Sequence, residues 1–230
     1  MSNKLLYHIF GFFFILHSFA QKENDSLQFT IHSKWKNEPF QLNKKYVSHN
    51  DTIQINLVKF YLSNFKIEYQ DGTFFKEKES YHLIDFEKPK SLKFSLEKIN
   101  SKKIKALHFA IGIDSLTSVS GAMAGKLDVT QGMYWAWQSG YINLKIEGKN
   151  NNCTTRNHKF QYHIGGYMQP YYALREVSFL VNSNNLENNT IYLNFDIEKL
   201  FNIINSKEFT TIMIPGKDAM KFADVFQKIV

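Results

Sequence analysis

Short runs of alternating apolar and polar residues recur along most of this chain, and they constrain its fold more than any other feature. Leu27, Phe29 and Ile31 alternate with polar neighbours, and the same period of two returns in many later segments. This period is typical of β-strands with one buried face. Helical spacing is confined to residues 197–201 and 216–226. We therefore predict a mainly β fold, an antiparallel β-sandwich with a short C-terminal helix.

The most distinctive segment is residues 132–148, which contain two of the three tryptophans. As an extended strand, this segment would place Met133, Trp135 and Trp137 on one face. After a break at residues 139–140 the alternation resumes. Two interpretations of the three side chains stay open. They could form a patch with a binding role, or they could pack as core, as aromatic residues in strands commonly do.

The N-terminus has the pattern of a signal peptide. Lys4 precedes an apolar run at residues 9–16, and small residues follow up to Ala20. This run is too short to cross a bilayer, and cleavage is expected near Ala20. We expect an exported protein in the periplasm or outside the cell, without a membrane span. Residues 21–230 are then predicted to form a single domain.

Composition and motifs disfavour several classes of function. The formal net charge is +7, but the basic residues do not form a stripe interleaved with aromatic residues, so no nucleic-acid partner is expected. The sequence has no Gly-rich phosphate loop, no HExxH, no paired CxxC and no GxSxG. We therefore predict that the protein is not an enzyme. Asp114 before Ser115 is interpreted as a turn cap, and Glu147 as a solvated or turn-bonding carboxylate.

Cys153 is the only cysteine, so no disulfide can form within the chain. It follows a run of asparagines in a predicted polar loop. Of three possibilities, we favour a reduced thiol over a bridge to another chain or a ligand to a soft metal.

Among the histidines, His163 is the strongest candidate for a functional role. It lies near the end of a predicted strand, directly before the pair Gly165-Gly166, where a turn leaves room for a ligand. The alternative is a strand-end histidine that is hydrogen-bonded to the backbone. Imidazole, thioether and aromatic groups are soft or borderline donors. If they converge, copper is the metal that suits them best.

Three motifs carry a resemblance to a known family: residues 132–141, 145–148 and 162–166. With them, the chain resembles the MbnP-like family, exported copper-binding proteins first associated with methanobactin systems, and is similar to the members found in Bacteroidota. The resemblance implies a β-sandwich that holds copper by histidine and, in some members, by a kynurenine made from tryptophan. It also implies a di-haem cytochrome c peroxidase-like partner that oxidises this tryptophan.

The family's site residues can be carried over to this chain one by one. His163 occupies the family's His-[Ile/Leu]-Gly position, and Trp135 and Trp137 occupy its two indole positions. His32 matches a histidine in the family's first strand region, and Met133 could offer its thioether beside the indoles. The resemblance therefore implies a metal site drawn from these five residues.

Two other classes of function were weighed. The first is a metal-independent, secreted interaction or ligand-binding module that uses the aromatic patch of Trp135 and Trp137. The second is an enzyme that uses Asp114 or Glu147, which is disfavoured because neither has an activating base or nucleophile beside it. Metal dependence separates the copper-binding interpretation from the first alternative.

Overall fold

A computed structural model of the chain describes residues 26–48, 51–99, 103–138, 140–204 and 208–230. The predicted signal peptide, residues 1–20, lies outside these ranges. Within them, no helix is both long enough and apolar enough to cross a membrane.

Strands make up most of the described chain and are numbered here in chain order. They are β1 (Ser26–Trp35), β2 (Glu38–Pro39), β3 (Lys45–Ser48), β4 (Asp51–Tyr69), β5 (Phe74–Lys76), β6 (Tyr81–Asp85), β7 (Lys93–Glu97), β8 (Ile104–Ile111), β9 (Tyr134–Trp135), β10 (Gly140–Asn150), β11 (Lys159–Gly165), β12 (Tyr167–Met168), β13 (Tyr171–Tyr172), β14 (Arg175–Leu180), β15 (Leu186–Glu187), β16 (Thr190–Asp196) and β17 (Thr211–Ile212). The helices are α1 (Ser115–Val119), α2 (Ile197–Ile203) and α3 (Lys217–Gln227).

The smaller of the two main sheets is organised around β1. This strand pairs in parallel with β16 and antiparallel with β2 and β7, while β15 pairs with β16. Leu27, Phe29 and Ile31 are buried on its inner face, as the alternation predicts. His32 follows on the outer face and is exposed.

The larger sheet has the strand order β14-β8-β4-β10-β11-β17, with β3, β5, β6 and β9 paired beside this path. Its centre is β4, a 19-residue strand. The pairs along this path are antiparallel except for β11 with β17. The dipeptide Asp71-Gly72 is a sequence signal for a β-hairpin, and it forms the turn between β4 and β5, where Gly72 has a φ of +82°.

The two sheets pack face to face through aromatic side chains. Phe29 of β1 contacts Phe65 of β4 with ring centroids 5.1 Å apart, and Phe60 of β4 contacts Phe195 of β16 at 4.9 Å. Offset and edge-on contacts of this kind add to the stabilisation from buried apolar area. The predicted β-sandwich is confirmed. Its strand pairs are mostly antiparallel, but β1 with β16 and β11 with β17 are parallel.

The C-terminal helix closes one part of this core, also as predicted. Phe222 and Phe226 of α3 are buried, and the ring of Phe226 lies 5.2 Å from that of Phe60. The two phenylalanines are four residues apart, the spacing that brings side chains to one face of a helix. The helix was predicted from the spacing of Met220, Ala223 and Phe226, and of these Ala223 and Phe226 are buried.

The segment between β8 and β9 is small, polar and Gly-rich, a composition that predicts a long loop, but it contains regular turns. It forms α1 and two 3-10 turns, Gly125–Leu127 and Val129–Gln131. Asp114 caps α1, because its carboxylate accepts a hydrogen bond from the backbone N–H of Thr117 at 2.8 Å. The interpretation of Asp114 as a cap is confirmed.

Cys153 lies in the main apolar core rather than on a polar surface, and only 2% of it is exposed. A thiol at this depth is poorly placed to bridge to a second chain.

Candidate metal centre

The tryptophan segment forms a hairpin. Trp135 of β9 pairs with Gly140 of β10, and Tyr134 pairs with Tyr141. The chain must therefore reverse direction between Trp135 and Gly140, and Trp137 lies in this turn. The predicted single strand from Met133 through Trp137 is wrong for this reason: the strand ends at Trp135.

Met133 and Trp135 belong to a second group of buried side chains, here called the outer cluster, which is separate from the sandwich core. Its members are Tyr61, Leu83, Ile113, Leu127, Met133, Trp135, Tyr141 and Ile142. Phe60 and Leu62 of β4 face the sandwich core, so Tyr61 between them faces the opposite side. The outer cluster therefore covers the outer face of the large sheet.

The predicted patch of Met133, Trp135 and Trp137 is divided into a buried and an exposed part. Met133 is 1% exposed and Trp135 is 5% exposed, whereas Trp137 is 62% exposed. The two indoles still meet, with ring centroids 5.6 Å apart and planes at 45°. Packing as core therefore describes Met133 and Trp135, and only Trp137 is available as a surface patch.

Trp135 packs closely against the sheet because β11 has a glycine at this position. A Cβ added at Gly165 would lie 2.6 Å from Cζ3 of Trp135 and 2.7 Å from the backbone oxygen of Tyr141. The indole Nε1 of Trp135 is buried and has no hydrogen-bond partner among the described residues. A buried polar atom without a partner is costly and therefore requires an explanation.

His163 lies on the same outer face as Trp135. Tyr162 and Ile164 of β11 face the sandwich core, so His163 and Gly165 face outwards. Two residues along a strand span about 7 Å, which places His163 next to the position covered by the indole. His163 is 6% exposed, and its Nε2 lies 2.7 Å from Oε1 of Glu147 on β10. Its partner is thus a carboxylate and not the backbone.

The carboxylate of Glu147 determines which ring nitrogen of His163 carries the proton in the neutral imidazole. The hydrogen bond from His163 lowers the pKa of Glu147; partial burial opposes this effect, and the charge of Lys145, with Nζ at 3.6 Å, adds to it. An ionised carboxylate can only accept hydrogen bonds, so Nε2 of His163 must donate. In the neutral imidazole, Nδ1 then carries the lone pair that a metal would use.

Glu147 is the partner of His163 that sequence reasoning missed, since it was interpreted as a solvated or turn-bonding carboxylate. The signal was present in the strand register. Lys145 lies directly opposite His163, and Glu147 lies opposite Gln161, so four polar side chains share the outer face of β10 and β11. Aligning the two strands as neighbours would have brought Glu147 diagonally next to His163.

Lys145 also connects this polar group to the tryptophan segment. Its Nζ donates a hydrogen bond to the backbone oxygen of Gly132 at 3.2 Å, directly before Met133. The segment that carries Met133 and Trp135 therefore runs beside the pair of His163 and Glu147.

His32 does not join this site. It lies on the outer face of the small sheet, where its ring is 5.1 Å from that of Tyr192. The sandwich core separates this face from the outer face of the large sheet, and packed sheets lie about 10 Å apart. In this structure His32 and His163 are therefore too far apart to bind the same ion.

Groups of three or more His, Cys, Asp or Glu side chains that could hold a metal ion do not occur in the part of the chain that the structure describes. Any site at His163 must therefore combine the imidazole with other donor types. The indole of Trp135 and the thioether of Met133 are the soft groups of the adjoining cluster.

Comparison with known proteins identifies the family. The MbnP family model matches residues 24–214. The chain belongs to the MbnP family. The solved structure of MbnP from Methylosinus trichosporium is similar to it, with a TM-score of 0.60 and 12% sequence identity, over 81% of this chain and 79% of that one. No curated protein matches the sequence.

The resemblance inferred from the motifs is thereby confirmed for the family. At 12% identity the similarity to the Methylosinus protein shows a shared fold. The MbnP fold of this chain is the sandwich described above, with the outer cluster on its large sheet.

Proposed function

We propose that this MbnP family member is an exported copper-binding protein, and not an enzyme, that holds its metal at His163 on the outer face of the large sheet. One observation carries the proposal: the imidazole of His163 is hydrogen-bonded to Glu147 at 2.7 Å, on the same face of β11 as Gly165, against which the indole of Trp135 packs. The copper association of the family supports the choice of metal.

The residues at the site fit a copper ion in their chemistry. Metal-binding histidines commonly donate their second ring N–H to a carboxylate, which orients the ring and raises its basicity. Glu147 provides this carboxylate for His163. The imidazole of His163 is a borderline donor and the thioether of Met133, in the adjoining outer cluster, is a soft one. Copper prefers these donor types over the oxygen ligands of calcium or magnesium.

Trp135 is the tryptophan that we assign as the kynurenine precursor. Its Nε1 is buried without a partner, and its ring lies over Gly165 on the face that His163 shares. Opening the indole ring would expose an aryl amine and a ketone, which are nitrogen and oxygen donors. Trp137 is 62% exposed and touches Trp135, so it offers a di-haem cytochrome c peroxidase-like partner a route to the buried ring.

The experiment is peptide mass spectrometry with elemental analysis of the native protein, purified from the envelope of its own cells. We expect bound copper, and the mass gain of a tryptophan-to-kynurenine conversion on the peptide that contains Trp135. Protein produced without the oxidising partner is the control and should carry unmodified tryptophan. Unmodified Trp135 in the native sample would contradict the kynurenine assignment, and failure to bind copper when it is supplied would contradict the proposed function.

A further inference from the structure

A groove of about 450 Å³ opens beside the exposed tryptophan, at the edge of the outer face. We call it the aromatic groove. Its walls include the rings of Trp137, Tyr167 and Tyr171, the thioether of Met168, and the amides of Gln138 and Gln169. Its volume lies within the range of about 300–1,000 Å³ that small-molecule sites occupy.

The walls of the aromatic groove are held in place by the fold. Tyr167 lies across Gly140, where an added Cβ would come within 2.7 Å of the tyrosine ring. The backbone oxygen of Tyr167 accepts a hydrogen bond from Oγ of Ser115 at 2.5 Å. Tyr167 and Met168 also pair with Tyr172 and Tyr171 in the β12–β13 hairpin. A preorganised site loses little conformational entropy when it binds.

The chemistry of the lining favours a neutral ligand that is both flat and rich in hydroxyl groups. Among the described residues that line the aromatic groove, none carries a charged side chain. The side chains of Gln138 and Gln169 and the phenol groups of Tyr167 and Tyr171 form no hydrogen bond with other described residues. The groove thus combines aromatic faces with amide and hydroxyl groups that are open to a ligand.

We propose that the aromatic groove binds a neutral saccharide. The apolar C–H face of a pyranose ring packs against the rings of Trp137 and Tyr167, and its hydroxyl groups pair with the amides of Gln138 and Gln169. An anionic ligand would find no cation in this lining, and a cationic ligand would find no carboxylate. A purely apolar partner would leave both amides without hydrogen bonds, which costs binding free energy.

The saccharide site is independent of the proposed copper function. None of Trp135, His163 and Glu147 lines the aromatic groove. Trp137 is common to both proposals, and for this reason the test also uses Tyr167 and Gln169. All measurements are made with a chelator present, so that copper binding does not contribute to the result.

The test is calorimetric titration of the whole protein with cellohexaose, maltohexaose and chitohexaose, three neutral oligosaccharides. We expect saturable binding of at least one of them. Trp137→Ala and Tyr167→Ala should each weaken it by about tenfold, and Gln169→Ala by about threefold. The matched control is Phe74→Ala, which removes an aromatic side chain that is 52% exposed outside the groove and should leave binding unchanged.

Two results would overturn the proposal. The first is that none of the three oligosaccharides binds. The second is that Trp137→Ala and Gln169→Ala, shown to be folded by their thermal unfolding curves, bind as tightly as the unmodified chain.

Discussion

Replacing Gly165 with alanine is expected to lower the free energy of unfolding by about 2 kcal/mol and to displace Trp135 from the sheet. The added Cβ would lie 2.7 Å from the backbone oxygen of Tyr141, which is fixed within β10, and 2.6 Å from the ring of Trp135. Displacing the indole relieves only the contact with the ring. The contact with the backbone oxygen also forces β10 and β11 to shift apart locally, which weakens their pairing. The outer cluster then loses its packing at the position next to His163.

Chemical unfolding measures the loss of stability, and tryptophan fluorescence reports the displacement. The matched control is Gly216→Ala, because a Cβ at Gly216 meets no atom within 4 Å and its φ of 173° is an extended conformation. Gly216 precedes α3, so Gly216→Ala should lower the free energy of unfolding by less than about 1 kcal/mol. An equal loss of unfolding free energy in Gly165→Ala and Gly216→Ala would show that Gly165 is not a close-packing position.

Two substitutions at Glu147 are expected to weaken copper binding to different extents. Glu147→Gln retains an oxygen that can accept the hydrogen bond from Nε2 of His163 but removes the negative charge, and we expect about a tenfold loss of affinity. Glu147→Ala removes the acceptor as well, and we expect a loss approaching a hundredfold. The loss is larger for Glu147→Ala because the carboxylate both orients the imidazole and raises its basicity, and only the alanine variant loses both effects.

A competition titration against a copper chelator of known affinity measures both losses. The chain provides a matched control in Glu77, whose two carboxylate oxygens each lie 2.9 Å from Nε2 of His82. The ring of His82 in this second pair stacks on Phe94, with ring centroids 4.0 Å apart. Glu77→Gln should leave the copper affinity unchanged, and equal losses for Glu77→Gln and Glu147→Gln would argue against a positioning role for Glu147.

The sequence was informative wherever a local pattern determined the structure. The alternation through Leu27, Phe29 and Ile31 identified β1, and the helical spacing of Phe222 and Phe226 belongs to the segment that forms α3. The cap at Asp114 was also predictable. In each case the physical cause, side-chain periodicity or a bond within one turn, lies within a few neighbouring residues.

Features that depend on strand pairing could not be obtained in this way. The end of β9 at Trp135 follows from its pairing with Gly140, and the assignment of Glu147 to His163 follows from the register between β10 and β11. His32 resembled a possible ligand because its sheet was unknown, and β1 in fact belongs to the opposite sheet. Register is set by contacts across the fold, so alternation alone could not provide it.

The most direct test of the account is the copper stoichiometry of the unmodified protein and of His163→Ala, measured by elemental analysis after equilibrium dialysis. We predict one site at His163 in the unmodified protein, and its loss in His163→Ala. His82→Ala, which removes the histidine of the second carboxylate pair, should keep the site. Unchanged copper stoichiometry in folded His163→Ala would contradict the central claim that His163 holds the metal.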